Sequence, residues 1–393
     1  MLTSSSRIRI LHICSGNLYG GIERFLHTLA AQRDQCPGLQ PEFALCFEGR
    51  LADELRATGA AVHLLGGIRL SRPWTTWRAR QKLLQLLHAG PSFDLAMMHG
   101  CWQHAALAPA VRRGKAPLWF WAHDSYQNPG KLDRLAARFK PDFVVGNSRF
   151  TLGTVPGVFP GVPGEVLYYP IAPPPAMDRA EVRREVRELL GCAPDKTVIF
   201  MGARLEPWKG HALLLDALAL VPPGDWEAWI AGGPQRPHEE IAYNQLQAKA
   251  TALGIGPRIR WLGQRKDMPR LLAAADIHCQ PNTGPEPFGI VFIEALQAGL
   301  PVITTRLGAP PEIVDDTCGI LTSPGDAAAL AGALKKVMDP QARQQFSGGV
   351  ARAKSLCDPA SQLQKLRGLI IGKLPEPQLP EPQLPHQPGR TGT

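Results

Sequence analysis

Short apolar runs alternate with helix-length mixed segments along almost the whole chain, and the succession is played twice. The first set occupies residues 7–14, 43–47, 61–65, 95–99, 118–122 and 143–146. Strands separated by segments of helix length predict a parallel sheet, because a parallel pair needs a crossover between its members and helices fill that role. Prolines then crowd residues 162–175, with Pro173, Pro174 and Pro175 in a row, which continue neither a helix nor a central strand. The rhythm restarts with strands expected at 198–202, 226–231, 259–262, 277–280 and 302–304, and helices at 212–220, 241–253, 268–274, 291–298 and 327–338. A chain of 393 residues exceeds the ~250–300 that one core sustains. The expected fold class is therefore α/β, with two Rossmann-like doubly wound domains facing across a cleft. Residues 1–170 form the first domain and 171–373 the second, and the last helix is free to return to the first. Residues 374–393 repeat Leu-Pro-Glu-Pro-Gln and are expected to form no packed core.

Charge and cysteine usage narrow the function class. Residues 1–175 hold 19 Lys and Arg against 11 Asp and Glu, whereas residues 176–393 hold 24 against 23, so the net +9 belongs almost entirely to the first half. Two segments there mix cations with apolar residues, 69–88 and 131–140, and make an anionic membrane surface a candidate partner. A packed amphipathic helix with a solvated basic face is the plainer reading. Nucleic acid is not expected, since no recognition motif accompanies the charge. The eight cysteines are scattered without a CxxC pair and read as buried free thiols. With no run of the ~18 apolar residues that a membrane span needs and no signal-peptide pattern, a cytoplasmic location is expected, peripheral to the membrane's inner face if the basic half touches lipid.

Open α/β sheets take ligands at the carboxyl ends of their strands, so the loops there carry the candidates. In the second half, Arg204 and Lys209 lie between an apolar strand and a helix, as cations suited to a diphosphate or as a solvated loop. Glu286 and Glu294 stand eight residues apart across a loop and a helix start, and Phe288, Gly289 and Ile290 between them offer helix N-terminal amides to an anion. A carboxylate accepts hydrogen bonds from sugar hydroxyls; a surface acid and a helix acid are the alternative. Gly20 and Gly21 precede a helix, where the missing side chains permit close approach of a ligand or simply a tight turn. His123 and His99 each end an apolar run, where such residues bond ligands or pack. No Asp-x-Asp triplet and no His/Cys cluster with ligand spacing occurs, so no metal ligands are assigned.

The segment Glu286-Pro287-Phe288-Gly289-Ile290-Val291-Phe292-Ile293-Glu294 resembles the E-x7-E signature of retaining family 4 glycosyltransferases of GT-B fold, and Arg204 and Lys209 match its upstream Arg and Lys. The likeness extends through Trp229 to Gly233, Trp261 to Gly263, Ala275-Asp276 and Ala298 to Ile303, over roughly residues 7–367. It implies that Glu294 holds the donor ribose, Glu286 the donor sugar, and Arg204 and Lys209 the departing nucleoside diphosphate. Gly232 falls in the donor site by the same match. Gly20-Gly21-Ile22-Glu23 resembles the family's GGxE loop beside the donor phosphate, and His123 its histidine beside the donor sugar. The resemblance further implies a metal-independent retaining transfer from a nucleoside-diphosphate sugar, a substrate rather than a cofactor, to a glycan or lipid-linked acceptor. Rival readings are a catalytically inactive nucleotide-sugar-binding subunit and a nucleotide-sugar epimerase.

Overall fold

The structure, a computed structural model, describes residues 7–17 and 20–374. The proline-rich stretch lies outside them from residue 375 onward. Two wholly parallel sheets are present. The first contains β1 (Ile8–Cys14), β2 (Leu39–Leu45), β3 (Val62–Leu64), β4 (Leu95–Met98), β5 (Leu118–Ala122), β6 (Phe143–Gly146) and β7 (Gly164–Val166), in the spatial order β3-β2-β1-β4-β5-β6-β7. The second contains β8 (Thr197–Gly202), β9 (Trp226–Ala231), β10 (Ile259–Gly263), β11 (Ile277–Gln280), β12 (Val302–Thr305) and β13 (Gly319–Thr322), in the order β10-β9-β8-β11-β12-β13.

Central strands are apolar on both faces because helices cover both. All five residues of β5 are buried, as are all six of β9, including Trp226 and Trp229. In both sheets the order reverses beside the first strand, between β1 and β4 and between β8 and β11. That reversal separates the neighbouring loops and opens a crevice at the carboxyl ends.

Three local differences from the sequence reading have physical causes. β7 and β13 were not expected; both are short edge strands that open on glycine, Gly164 and Gly319, and β7 sits inside the proline-dense stretch. β2 starts at Leu39 rather than 43 and contains Pro41, an unusual residue for an interior strand. Pairing with β3 begins only at Phe43, so at Pro41 the strand has β1 as its one neighbour and the missing N–H costs no ladder bond.

The chain crosses between the domains twice at nearly one place. After β7 it runs through Ile171, whose N–H donates to the carbonyl of Cys357 at 2.9 Å, the last residue of the helix Gly349–Cys357. The following helix, Pro359–Lys373, leaves the second domain and lies on the first, where Lys373 Nζ pairs with Glu165 at 3.0 Å and stands over the Phe143 ring. All eight cysteines are buried and unpaired. No helix among the described residues is long and apolar enough to cross a membrane.

Candidate functional site

Loops at the carboxyl ends of both sheets line one cavity of about 940 Å³, which places the two crevices face to face. Gly20 and Arg24 follow β1, Arg204 follows β8, Gly232 follows β9, Gln264 follows β10, and Ile290 and Glu294 come from the helix Ile290–Gln297. Gly232 is a required glycine. Its φ is +136°, its N–H donates to the Gly263 carbonyl at 2.8 Å, and a Cβ would lie 1.9 Å from the carbonyl oxygen of Ala203. Arg204 reaches into the cavity half exposed, with Nη1 at 2.9 Å from Glu206 Oε1.

Beside this cavity, the second cation and the first glutamate are bonded to each other. The single turn Pro207–Lys209 delivers Lys209, whose Nζ lies 3.9 Å from the Trp208 ring centroid and 2.7 Å from Glu286 Oε2. The same oxygen accepts from Asn282 Nδ2 at 2.9 Å and Gln280 Nε2 at 3.2 Å. Three donors on one oxygen fix the orientation of a carboxylate whose side chain is only 8% exposed. Gln280 and Asn282 were missed by the sequence reading. Their signal was present: two amide side chains two residues apart at the end of β11, where alternate residues share a face.

The second glutamate sits one turn inside the helix Ile290–Gln297, which Gly289 caps with φ +96°. Glu294 Oε1 lies 2.6 Å from Nη2 of Arg24, on the first domain's helix Gly21–Ala31. Burial pushes the Glu294 carboxyl up, and the Arg24 cation opposes that shift. The glycine loop is also at the domain junction, since a Cβ on Gly21 would lie 3.4 Å from Ile290 Cδ1. Glu23, next along, accepts from the Gly20 N–H at 2.9 Å; burial raises its carboxyl and Arg204 opposes. Asp124 is exposed by surface area, yet its carboxyl is shifted up, first by desolvation in this concave site and then by neighbouring acids, against the pull of Arg204. Phe288 points away from solvent, 3% exposed, with its ring T-shaped on Tyr169 at 4.9 Å.

His123 is brought to the same end of the first sheet, but both its ring nitrogens are occupied within the domain. Nε2 lies 2.9 Å from His99 Nδ1, His99 Nε2 lies 2.9 Å from His12 Nδ1, and His123 Nδ1 bonds the Tyr169 hydroxyl. Asn147 Nδ2 donates to that hydroxyl at 3.0 Å and faces the His123 carbonyl, so the tyrosine's proton goes to His123. With each ring neutral, one proton per bond then runs from Tyr169 through His123 and His99 to His12, every ring protonated at Nε2. Burial supports neutrality, lowering His123 and His12 to about 3 and His99 well below its usual value. His99, the second histidine candidate, is thus the middle of this chain.

Among the described residues, no group of three or more His, Cys, Asp or Glu side chains is placed to hold a metal ion.

Residues 182–348 match the family described as Glycosyl transferases group 1. A phosphatidyl-myo-inositol mannosyltransferase of Mycobacterium leprae (strain TN) is 42% identical over 144 residues, 35% of this chain and 36% of the relative. The lipopolysaccharide core biosynthesis mannosyltransferase LpsB of Rhizobium meliloti (strain 1021) is 29% identical over 178 residues, 43% of this chain and 50% of the relative. The matched stretches thus span between about a third and a half of these curated relatives. Among solved structures, Anabaena HepE in complex with UDP and glucose superposes over 93% of this chain and 100% of its own, with a TM-score of 0.78 and 25% identity. A glycosyltransferase from Rickettsia africae ESF-5, at 18% identity and a TM-score of 0.80, shares the fold. The second domain thus carries, over residues 182–348, a match to the glycosyl transferases group 1, set in the two-sheet GT-B architecture that these solved structures share.

Proposed function

We propose that the protein is a retaining, family 4 type glycosyltransferase that moves a hexose from a nucleoside-diphosphate sugar to a hydroxyl of a glycan or lipid-linked acceptor. The observation that carries this reading is the convergence of Arg204, Glu294, Gly232 and Gly20 on one interdomain cavity, beside the Lys209–Glu286 pair. The family match, the UDP and glucose bound by HepE and the mannosyltransferase names of two relatives support it.

In the proposed arrangement the nucleoside lies between the loops after β9 and β10, with Glu294 accepting from the ribose hydroxyls. Arg204, the helix amides at Gly289 and Ile290, and Lys209 face the diphosphate, while Glu286 accepts from hydroxyls of the donor sugar. Transfer breaks the bond from the anomeric carbon to the phosphate oxygen and forms one from that carbon to the acceptor oxygen on the same face. The acceptor proton leaves on the phosphate. Cations preorganised at the leaving group act where negative charge develops, so no cofactor or divalent metal is assigned to the step. Lys209 leaves Glu286 part of the way as the diphosphate departs, which makes its contact strongest late in the reaction. Since both ring nitrogens of His123 are bonded, we give the sugar contacts to Glu286 and leave His123 as the fixed floor of that end of the cleft.

On the first domain, Trp74 and Trp77 are 57% and 61% exposed at the start of the helix Pro73–His88, flanked by Arg72 and Arg78. That helix follows β3, so its first turn lies on the cleft side of the sheet. We propose that this patch meets the anionic inner face of a membrane and presents a lipid-linked acceptor, with the protein cytoplasmic.

A thermal-shift panel of UDP, GDP, ADP and their sugar conjugates, with and without EDTA, tests the donor assignment, because a ligand that binds the folded state raises its apparent stability. A shift with one diphosphate that EDTA leaves unchanged is expected. No shift with any of them on folded protein would sink it.

A further inference from the structure

Glu286 belongs to the second domain, yet the loop that carries it is held by the first. The carbonyl of Pro287, between Glu286 and Phe288, accepts from Ser148 Oγ at 2.6 Å and from Thr151 Oγ1 at 3.1 Å. On its other side the Glu286 backbone rests on residues 307–309: its N–H donates to the Leu307 carbonyl at 3.1 Å and its carbonyl accepts from the Ala309 N–H at 2.8 Å. Gly308 lets that contact form, since a Cβ there would lie 2.6 Å from the Glu286 nitrogen. Four residues after Gly308, Glu312 sends its carboxylate across to the same first-domain helix, Arg149–Thr154. Oε2 accepts from the Arg149 N–H at 2.8 Å and the Tyr168 hydroxyl at 2.9 Å, and Oε1 accepts from the Phe150 N–H at 2.9 Å. Arg352 donates to the Glu312 carbonyl at 2.8 Å, so the carboxylate is presented from a fixed backbone.

We infer that Ser148, Thr151, Tyr168 and Glu312 are positioning residues, a cross-domain clasp that sets the Glu286 loop only when the two domains are closed. The inference rests on the reading of Glu286 as the donor-sugar ligand. Lys209, Gln280 and Asn282 fix one oxygen of Glu286 from within the second domain. Where that oxygen sits relative to the first-domain wall depends on the loop backbone, and the clasp grips it on both sides of the Glu286 peptide. Displacements of the order of an ångström at a reacting group cost up to about 100-fold in rate, so the clasp acts on turnover rather than on nucleotide affinity. None of its members lines the 940 Å³ cavity.

The test compares wild type with Ser148→Ala, Glu312→Gln and the pair, reading turnover of UDP-glucose and GDP-mannose to free diphosphate, affinity for UDP and GDP, and amide hydrogen exchange. Expected is a fall in kcat of roughly 10- to 100-fold, with diphosphate affinity held within about threefold, and recovery in Ser148→Thr, which keeps the hydroxyl. In exchange, Glu312→Gln should speed the amides of Arg149 and Phe150 and also the peptide spanning residues 284–290. Faster exchange at 149–150 alone would reduce Glu312 to a helix cap and overturn the inference. So would unchanged kcat, or equal losses in kcat, affinity and melting temperature. If wild type neither binds nor turns over either donor, it is the functional reading that fails; the exchange comparison still decides whether the clasp holds the loop.

Discussion

At the scale of single residues, the two glutamates of the site differ in what holds them. Glu286 is bound by three donors of its own domain, whereas Glu294 pairs with Arg24 from across the cleft. The difference separates their variants. Glu294→Ala should weaken UDP or GDP binding by roughly 10- to 100-fold, the equivalent of about 1.4–2.8 kcal/mol for lost hydrogen bonds to a charged group. Lys209→Ala should instead lower kcat by about 100-fold or more with affinity nearly kept, measured by titration calorimetry beside steady-state rates. Equal losses of affinity in both would refute the division. Arg204, Lys209, Glu286 and Glu294 could be put forward as candidates from sequence alone because each stands in a local motif whose spacing survives without any knowledge of the fold. Arg24, Ser148 and Glu312 were not, because their partners lie 139 to 270 residues away and only domain closure makes them neighbours. His123 shows the other limit. Its place at a strand end was readable, but the occupancy of its ring depends on His99, His12 and Tyr169, which three other segments supply.

At the scale of elements, β1 and the residues that immediately follow β4 and β5 each send one histidine into the interior of the first domain, and the helix Gly21–Ala31 closes over them with Phe25, whose ring lies 4.5 Å from that of Trp121. Three neutral imidazoles stacked in this way make the domain sensitive to acid. Their folded pKa values are depressed below the unfolded value of about 6.5, so the unfolded chain binds more protons below that pH. Stability is therefore complete above about pH 6.5 and is lost as pH falls toward 3, by up to about 1.4 kcal/mol per pH unit for each ring. Melting temperature followed from pH 7 to 4.5 should fall steeply, and His12→Asn with His99→Asn should flatten the slope. A wild-type profile that is flat down to pH 4.5 would show the rings to be charged or exposed. Strands with long apolar runs were readable at this scale because burial on both faces leaves a composition signal. β7 and β13 were not, because an edge strand of three or four residues has one neighbour and needs no such run.

At the scale of the molecule, the uneven charge and the exposed tryptophans belong to the same half. Vesicles containing phosphatidylglycerol should bind the full chain at low salt and release it as salt rises, and Trp74→Ala with Trp77→Ala should weaken binding by roughly 10-fold or more while UDP affinity is kept. Absence of binding to such vesicles at low salt would remove the membrane from the proposal. The two inter-domain crossings carry a different consequence. The residues that match the family, 182–348, lie wholly between the crossing at Ile171 and the crossing after Cys357, while the first domain is completed by the helix Pro359–Lys373. In topological terms the second domain is an insert within the first, entered and left through adjacent doors. Cutting the gene after the matched module would strip the first sheet of its covering helix, whereas exchanging the module between the doors would leave that sheet whole. Recombination at two neighbouring points is then enough to exchange the family-matched module on an unchanged first domain.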